Sequence, residues 1–161
     1  MFYKDITIII VTYKSTNKVL KFIKRIPKKF RIILIDNSKD ISLKKKLKKN
    51  RNIKIYFNKN NGFGRSMNLA VKKIKTNYFF QISPDLEFNF KQLKTFYEVA
   101  KKLKDKFSAL GPRFVNVNKK SHKQSDRKKT VANINAVHGS AMFINKAKFN
   151  LIGGIDEKIF L

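Results

Sequence analysis

The run ITIIIVTY at residues 6–13 is apolar at odd and even positions alike and rich in β-branched side chains. A strand of that kind has no face to offer water, so it belongs inside a sheet covered on both sides. The same signature returns in RIILID (31–36), NIKIYF (52–57) and NYFFQI (77–82). Between these runs the apolar period becomes that of a helix. STNKVLKFIKRI (15–26) sets Val19, Phe22, Ile23 and Ile26 on one face behind Ser15 or Thr16 as N-cap, and Pro27 stops it. SLKKKLKKN (42–50) is a short, very basic helix with Leu43 and Leu47 on one side. Met67, Ala70, Val71 and Ile74 mark a third helical face, and Leu93, Phe96, Tyr97 and Ala100 a fourth within 90–104. Strand then helix, four times over, predicts an α/β fold. Its sheet is Rossmann-like and mostly parallel, with right-handed crossovers and helices on both faces.

The rest of the chain is less regular. SALGPRFV (108–115) reads as a strand broken by Gly111-Pro112, and the polar, basic stretch 116–130 as a loop. NAVHGSAMFI (135–144) returns to strand character, and a short helix at 146–151 leads into GGIDEKIFL. A length of 161 residues, 42% of them hydrophobic, supplies one core, and no internal repeat divides it. The expectation is a single domain over 1–161. The absence of cysteine excludes disulfides and thiolate metal sites and fits a reducing compartment. No apolar run approaches the roughly 20 residues of a bilayer span, and MFYKDI lacks the layout of a signal peptide. The expected location is cytoplasmic.

Thirty-eight Lys and Arg against ten Asp and Glu give a formal charge of +28. Such a chain attracts polyanions: nucleic acid, anionic membrane or phosphorylated substrates. Lysines occur from one end to the other, which favours compositional bias with a generally cationic surface. A nucleic-acid-binding module is the competing class, resting on runs such as KKKLKK (44–49), but no nucleic-acid motif accompanies the charge. A third reading puts the domain peripherally on an anionic membrane, at its inner face.

Parallel α/β sheets bind ligands beyond the carboxyl ends of their strands. That rule gathers Tyr13 and Lys14, Asp36 and Asn37, Asn60 to Gly64, and Asp85 onto one rim. Each has an ordinary alternative. Asp36 suits a ribose hydroxyl or a base N–H, and Asp-Asn-Ser equally suits a turn. NNGFGRSMN (60–68) lacks the third small residue of a dinucleotide fingerprint, because Met67 stands there. Asn61-Gly62 makes a turn with positive φ, and the same loop opens a helix whose N-terminus accepts phosphate. In SPDLEF (83–88), Pro84 directs Asp85 outward. One carboxylate beside a phosphate cradle suffices for Mg²⁺ or a similar cation, while a type I turn with Pro second explains the same residues. Glu87 is either a neighbour of that site or a surface acid. His138 reads as a hydrogen-bonded structural residue and His122 as a loop residue. Gly-x-Ser-x-Gly and Walker motifs are absent, which removes hydrolase and P-loop readings.

Taken in order, IIIVTYK, ILIDNS, NKNNGFGRSMN, SPD, HGSAMFINK and GGIDEKIFL resemble the family 2 glycosyltransferases, most closely the rhamnosyltransferase-like branch. The resemblance covers essentially the whole chain. It implies a GT-A fold that binds a nucleotide-sugar donor (UDP-, GDP- or TDP-linked). It also implies transfer of the sugar, with inversion, to a glycan or lipid-linked acceptor. By this resemblance Thr12, Tyr13 and Asp36 contact the nucleoside, and Asn61, Gly62, Gly64 and Asn68 shape the donor pocket. Asp85 holds a divalent cation, Mg²⁺ or Mn²⁺. Gly139, Ser140 and Asp156 border the acceptor side. Three departures stand out: Lys14 in place of a usual Asn, Ser83 at the first position of the metal motif, and Glu87 outside any regular family position. Relatives continue past GGIDEKIFL into an acidic pair that supplies the base. The expectation is therefore a domain incomplete at its C-terminus, with Asp156 the candidate catalytic residue and Glu157 its alternative as substitute base, or else a donor-binding remnant without catalytic activity.

Overall fold

The structure, a computed structural model, describes residues 1–104, 106–112 and 136–159. Four strand–helix units open the chain: β1 (Ile6–Thr12), α1 (Thr16–Arg25), β2 (Arg31–Asp36), α2 (Ile41–Leu47), β3 (Ile53–Phe57), α3 (Phe63–Lys73) and β4 (Tyr78–Ile82). A 3-10 turn at Phe90–Gln92 runs into α4 (Leu93–Leu103). Then follow β5 (Ala109–Leu110), β6 (Ala141–Asn145) and α5 (Lys146–Leu151). The predicted strand 108–115 is realised at Ala109–Leu110, while the basic stretch 116–130, with His122, lies outside the described residues. The strand expected over 135–144 begins at Ala141, so His138 sits in the turn that precedes it.

The six strands form one sheet in the order β3-β2-β1-β4-β6-β5. The first four are mutually parallel, with Ile10 opposite Leu34 and Ile8 opposite Phe80. β6 runs antiparallel to β4, and β5 antiparallel to β6. The chain builds outward from β1 through β2 to β3, then returns to place β4 on the other side of β1. That reversal opens a crevice between the carboxyl ends of β1 and β4.

Both faces are covered, as the unbroken apolar strands require. Ile6, Ile8 and Ile10 point to one side with Leu34 and Phe80, where Val19 and Phe22 of α1, Leu43 and Leu47 of α2 and Leu93 of α4 close over them. Ile9, Ile33 and Phe79 point to the other side, against Met67, Ala70 and Val71 of α3 and Phe149 of α5. Alternation within single strands thus feeds two separate cores. A buried hydroxyl pair, Thr7 and Thr76 at 2.8 Å, keeps polar atoms satisfied at the amino end of β1. Pro27 acts as expected, with α1 ending at Ile26 in extended geometry.

Candidate active site

The carboxyl rim is laced before any ligand is considered. Asn37 N–H donates to the Thr12 carbonyl at 2.9 Å and Asn58 N–H to the Asp36 carbonyl at 3.0 Å, so the ladders of β1, β2 and β3 continue into their loops. Asn37 and Ser66 are both buried. The Ser66 hydroxyl lies 3.0 Å from Asn37 Oδ1 and 3.1 Å from the Gly62 carbonyl, and Asn58 Nδ2 donates to it at 3.4 Å. This network fixes the loop 58–62 against the ends of β2 and α3. The sequence carries no signal for it, because Ser66 is one polar residue on an otherwise apolar helical face.

Asp36 is fully buried at the end of β2. Its Oδ1 accepts from the Ser38 N–H at 2.9 Å and hydroxyl at 2.5 Å, and its Oδ2 accepts from Asp40 N–H at 2.6 Å. The carboxylate therefore organises its own turn, and both of its oxygens are engaged within the chain. Asp40 caps α2, accepting from the N–H groups of Ser42 and Leu43 and from the Thr16 hydroxyl. The Thr16 hydrogen bond, followed by that of Ser42, lowers its pKa to about 2.

Thr12 lies beside Asp36 in register, and its buried Oγ1, like Gln81 Oε1, has no hydrogen-bond partner among the described residues. A buried hydroxyl left unpaired in a native fold asks for a partner from outside the chain. Tyr13 is 45% exposed on the rim, with Lys14 Nζ 5.2 Å from its ring centroid. Gly62 takes φ +91° as it opens α3, which is the positive-φ turn expected of Asn61-Gly62.

Across the crevice, Leu86 N–H donates to the Ser83 carbonyl at 3.2 Å, closing a turn over Ser83-Pro84-Asp85-Leu86. Asp85 is exposed. Antiparallel pairing brings the start of β6 to the end of β4, so Ser83 N–H donates to the Ser140 carbonyl at 2.8 Å. Ser140 Oγ is in turn 2.8 Å from His138 Nδ1. Gly139 is exposed, and a side chain there would meet nothing within 4 Å. Among the described residues no group of three His, Asp or Glu converges as a preformed metal cage. A single outward carboxylate still fits Mg²⁺ or Mn²⁺ held mainly by substrate phosphates and water.

The GGIDE segment docks on the first two turns of α3. Asn68 Nδ2 donates to the Ile155 carbonyl at 2.9 Å and to Glu157 Oε1 at 3.0 Å, while its Oδ1 accepts from Ile155 N–H at 3.0 Å. Arg65 Nε donates to Glu157 Oε2 at 3.0 Å. The Asn68 amide, then Arg65, holds the Glu157 carboxyl below its ordinary range. A Cβ on Gly64 would stand 2.8 Å from Ile155 Cγ2, and one on Gly154 (φ +89°) 2.5 Å from Asn68 Oδ1. Gly64, Asn68 and Gly154 thus form one joint, and Asp156 is carried next to it. Asp156 is exposed and accepts from Lys158 N–H at 2.9 Å through Oδ1.

Known proteins share this fold. The hexosyltransferase Agl10 of low-salt glycan biosynthesis in Haloferax volcanii is 23% identical over 98% of this chain and 58% of its own. TarS 1-349 of S. aureus superposes with a TM-score of 0.72 at 18% identity, over 98% of this chain and 52% of that one. It has also been crystallised with UDP-GlcNAc. The mannosyltransferase PcManGT of Pyrobaculum calidifontis, solved with GDP-Man and Mn²⁺, superposes at 0.70 with 12% identity, covering 96% of this chain and 48% of its own. The chain spans about half the length of these relatives. At such identities the structures establish the GT-A-like fold. The profile described as glycosyl transferase family 2 matches residues 7–154, from β1 through the glycines of the docked segment, and the chain belongs to that family.

Proposed function

We propose that the protein transfers a sugar from a nucleotide-sugar donor to an acceptor hydroxyl, with inversion at the anomeric carbon. The observation that carries this reading is the strand order: Thr12 ends β1, Asp36 ends β2 and Asp85 follows β4, so all three belong to the carboxyl ends of parallel strands around the switch. The exposed Tyr13 ring offers a surface for the base, and the unpaired Thr12 hydroxyl awaits a donor or acceptor. Asp36 contributes by shaping the turn at the pocket wall. The Asn61–Gly64 loop and the amino end of α3 present N–H groups toward the diphosphate. Asp85 would hold the divalent cation, which when bound offsets charge on the departing diphosphate.

The reaction is a single in-line displacement. The acceptor oxygen bonds to the anomeric carbon as the bond to the diphosphate oxygen breaks, and the nucleoside diphosphate leaves with the electron pair. The hydroxyl proton passes to a base. Of the two acids on the docked segment, Glu157 is occupied by Asn68 and Arg65, so Asp156 is the one placed to serve. Gly139 and Ser140 would border the acceptor, a glycan or a lipid-linked sugar, which suits a position at the inner face of a membrane.

Calorimetry with UDP-, GDP- and TDP-sugars, each with and without Mg²⁺ or Mn²⁺, tests the reading. One donor should bind in a metal-dependent way, and Asp85→Ala should abolish the metal dependence. Equal affinity in wild type and Asp85→Ala would remove Asp85 from the site, and no affinity for any donor would overturn the reading.

A further inference from the structure

The cations are not spread evenly. Residues 18–31 and 41–51 hold thirteen Lys and Arg and no acid, and all thirteen are exposed. They occupy the outer faces of α1 and α2 and the connections that follow. The inner faces of these helices pack into one cluster on the same side of the sheet, so the two lie side by side. Elsewhere the cations are sparser: residues 52–84 carry six and no acid, 86–104 five cations and two acids, and 136–159 three cations and two acids. A uniform lysine bias does not produce that asymmetry. None of the thirteen joins an ion pair among the described residues, where the pairs are Arg65–Glu157 and Lys94–Glu98.

We infer that the outer face of α1 and α2 docks the protein on an anionic lipid bilayer. Ten of the thirteen cations are Lys and three are Arg, and each near an anionic surface adds to the attraction. Clusters of that size, on helices, are attracted to anionic leaflets. Ile41, 63% exposed in the first turn of α2, adds an apolar contact for the interfacial region. Single-stranded nucleic acid would need aromatic platforms, and the strongly exposed aromatic among the described residues, Tyr13, lies on the rim instead. The inference deepens the lipid-linked reading of the acceptor, yet docking uses the α1 and α2 face and not the donor site. Vesicle binding and donor binding can therefore fail independently.

The test is sedimentation with vesicles of phosphatidylcholine, with and without phosphatidylglycerol. Retention is expected only on the anionic vesicles and should be lost at about 0.5 M salt, where the Debye length is well below its ~10 Å at 0.1 M. The triple variant Lys45, Lys46 and Lys49→Gln, on α2 and the turn after it, should lower partitioning at least about tenfold. The matched triple Lys72, Lys73 and Lys75→Gln, at the end of α3 across the sheet, should lower it less than about twofold. Replacing the α2 triple by Arg keeps charge and should keep binding, and circular dichroism checks that every variant folds. Equal losses from the two Gln triples, or no retention on anionic vesicles, would overturn the inference. Tight binding to a polyuridine RNA without vesicle retention would do so in favour of nucleic acid.

Discussion

Replacing Asn68 with Ala removes both hydrogen bonds that hold the Ile155 backbone, its N–H to Asn68 Oδ1 at 3.0 Å and its carbonyl to Nδ2 at 2.9 Å. Each is worth about 1 kcal/mol net, so the joint should loosen by ~2 kcal/mol. That is roughly a 30-fold rise in the local opening equilibrium, since about 1.4 kcal/mol is tenfold. The same change favours α3 itself, because Ala is a better helix former than Asn by up to ~0.7 kcal/mol. The two effects separate in amide hydrogen exchange. Protection at Ile155 should fall roughly 30-fold, while the amides of Ala70 and Val71 in α3 and those of β1 and β2 hold or gain. Gly154→Ala attacks the joint from the other side, through its positive φ and the 2.5 Å approach to Asn68 Oδ1. Its cost should shrink in the Asn68→Ala background, because the colliding atom is gone. Unchanged protection at Ile155 would refute the reasoning, as would an equal loss of protection across the whole domain.

The caps and the buried edge give two pH tests. Asp40 has its pKa lowered to about 2, so its contribution is complete above the ordinary carboxylate range and is lost as pH falls toward 2. Asp40→Asn should flatten the loss of Tm between about pH 4 and pH 2, and an identical acid profile would remove Asp40 from that role. Tyr97 donates to Asp5 at 2.6 Å, and this hydrogen bond first, then burial, pushes its pKa up to about 12. Its contribution is present below the ordinary tyrosine pKa of about 10 and disappears as pH rises through 12. In an ultraviolet titration it should ionise at about 12, and Asp5→Asn should bring it down toward 10. A curve unchanged by Asp5→Asn would count against the pair.

The strands and helices were legible because their cause is local. β2 runs from Arg31 to Asp36 as its apolar run does, the buried residues of α1 are those the helical period marks, and in α3 the marked Met67, Ala70 and Val71 are buried alongside the unmarked Gly64 and Ser66. The direction of β6 was not legible, since alternation looks the same in either sense. Yet that direction is what delivers Ser140 to Ser83. Asp36 shows the limit from the other side. Turn and ligand readings both fitted its sequence, and the geometry realises the turn through donors at Ser38 and Asp40 that only three-dimensional placement can supply. The turn at Ser83 also forms, leaving Asp85 outward and available, so there the two readings are compatible rather than rival.

The joint at α3 was the least legible element and connects the most. Gly64 and Asn68 stand four residues apart, hence on one helical face, and by resemblance alone both belong to the donor pocket. In the fold they grip Ile155, which is 87 positions beyond Asn68. Periodicity cannot announce a partner at that separation, because its contribution to the local pattern is a single polar residue. The consequence is mechanical. One end of α3 is continuous with the Asn61–Gly62 turn on the donor side, and its next turn fixes the segment that carries Asp156. A donor that ordered the loop would therefore stiffen the segment that carries Asp156, the base we propose, through two turns of helix, with Asn68 as the coupling group.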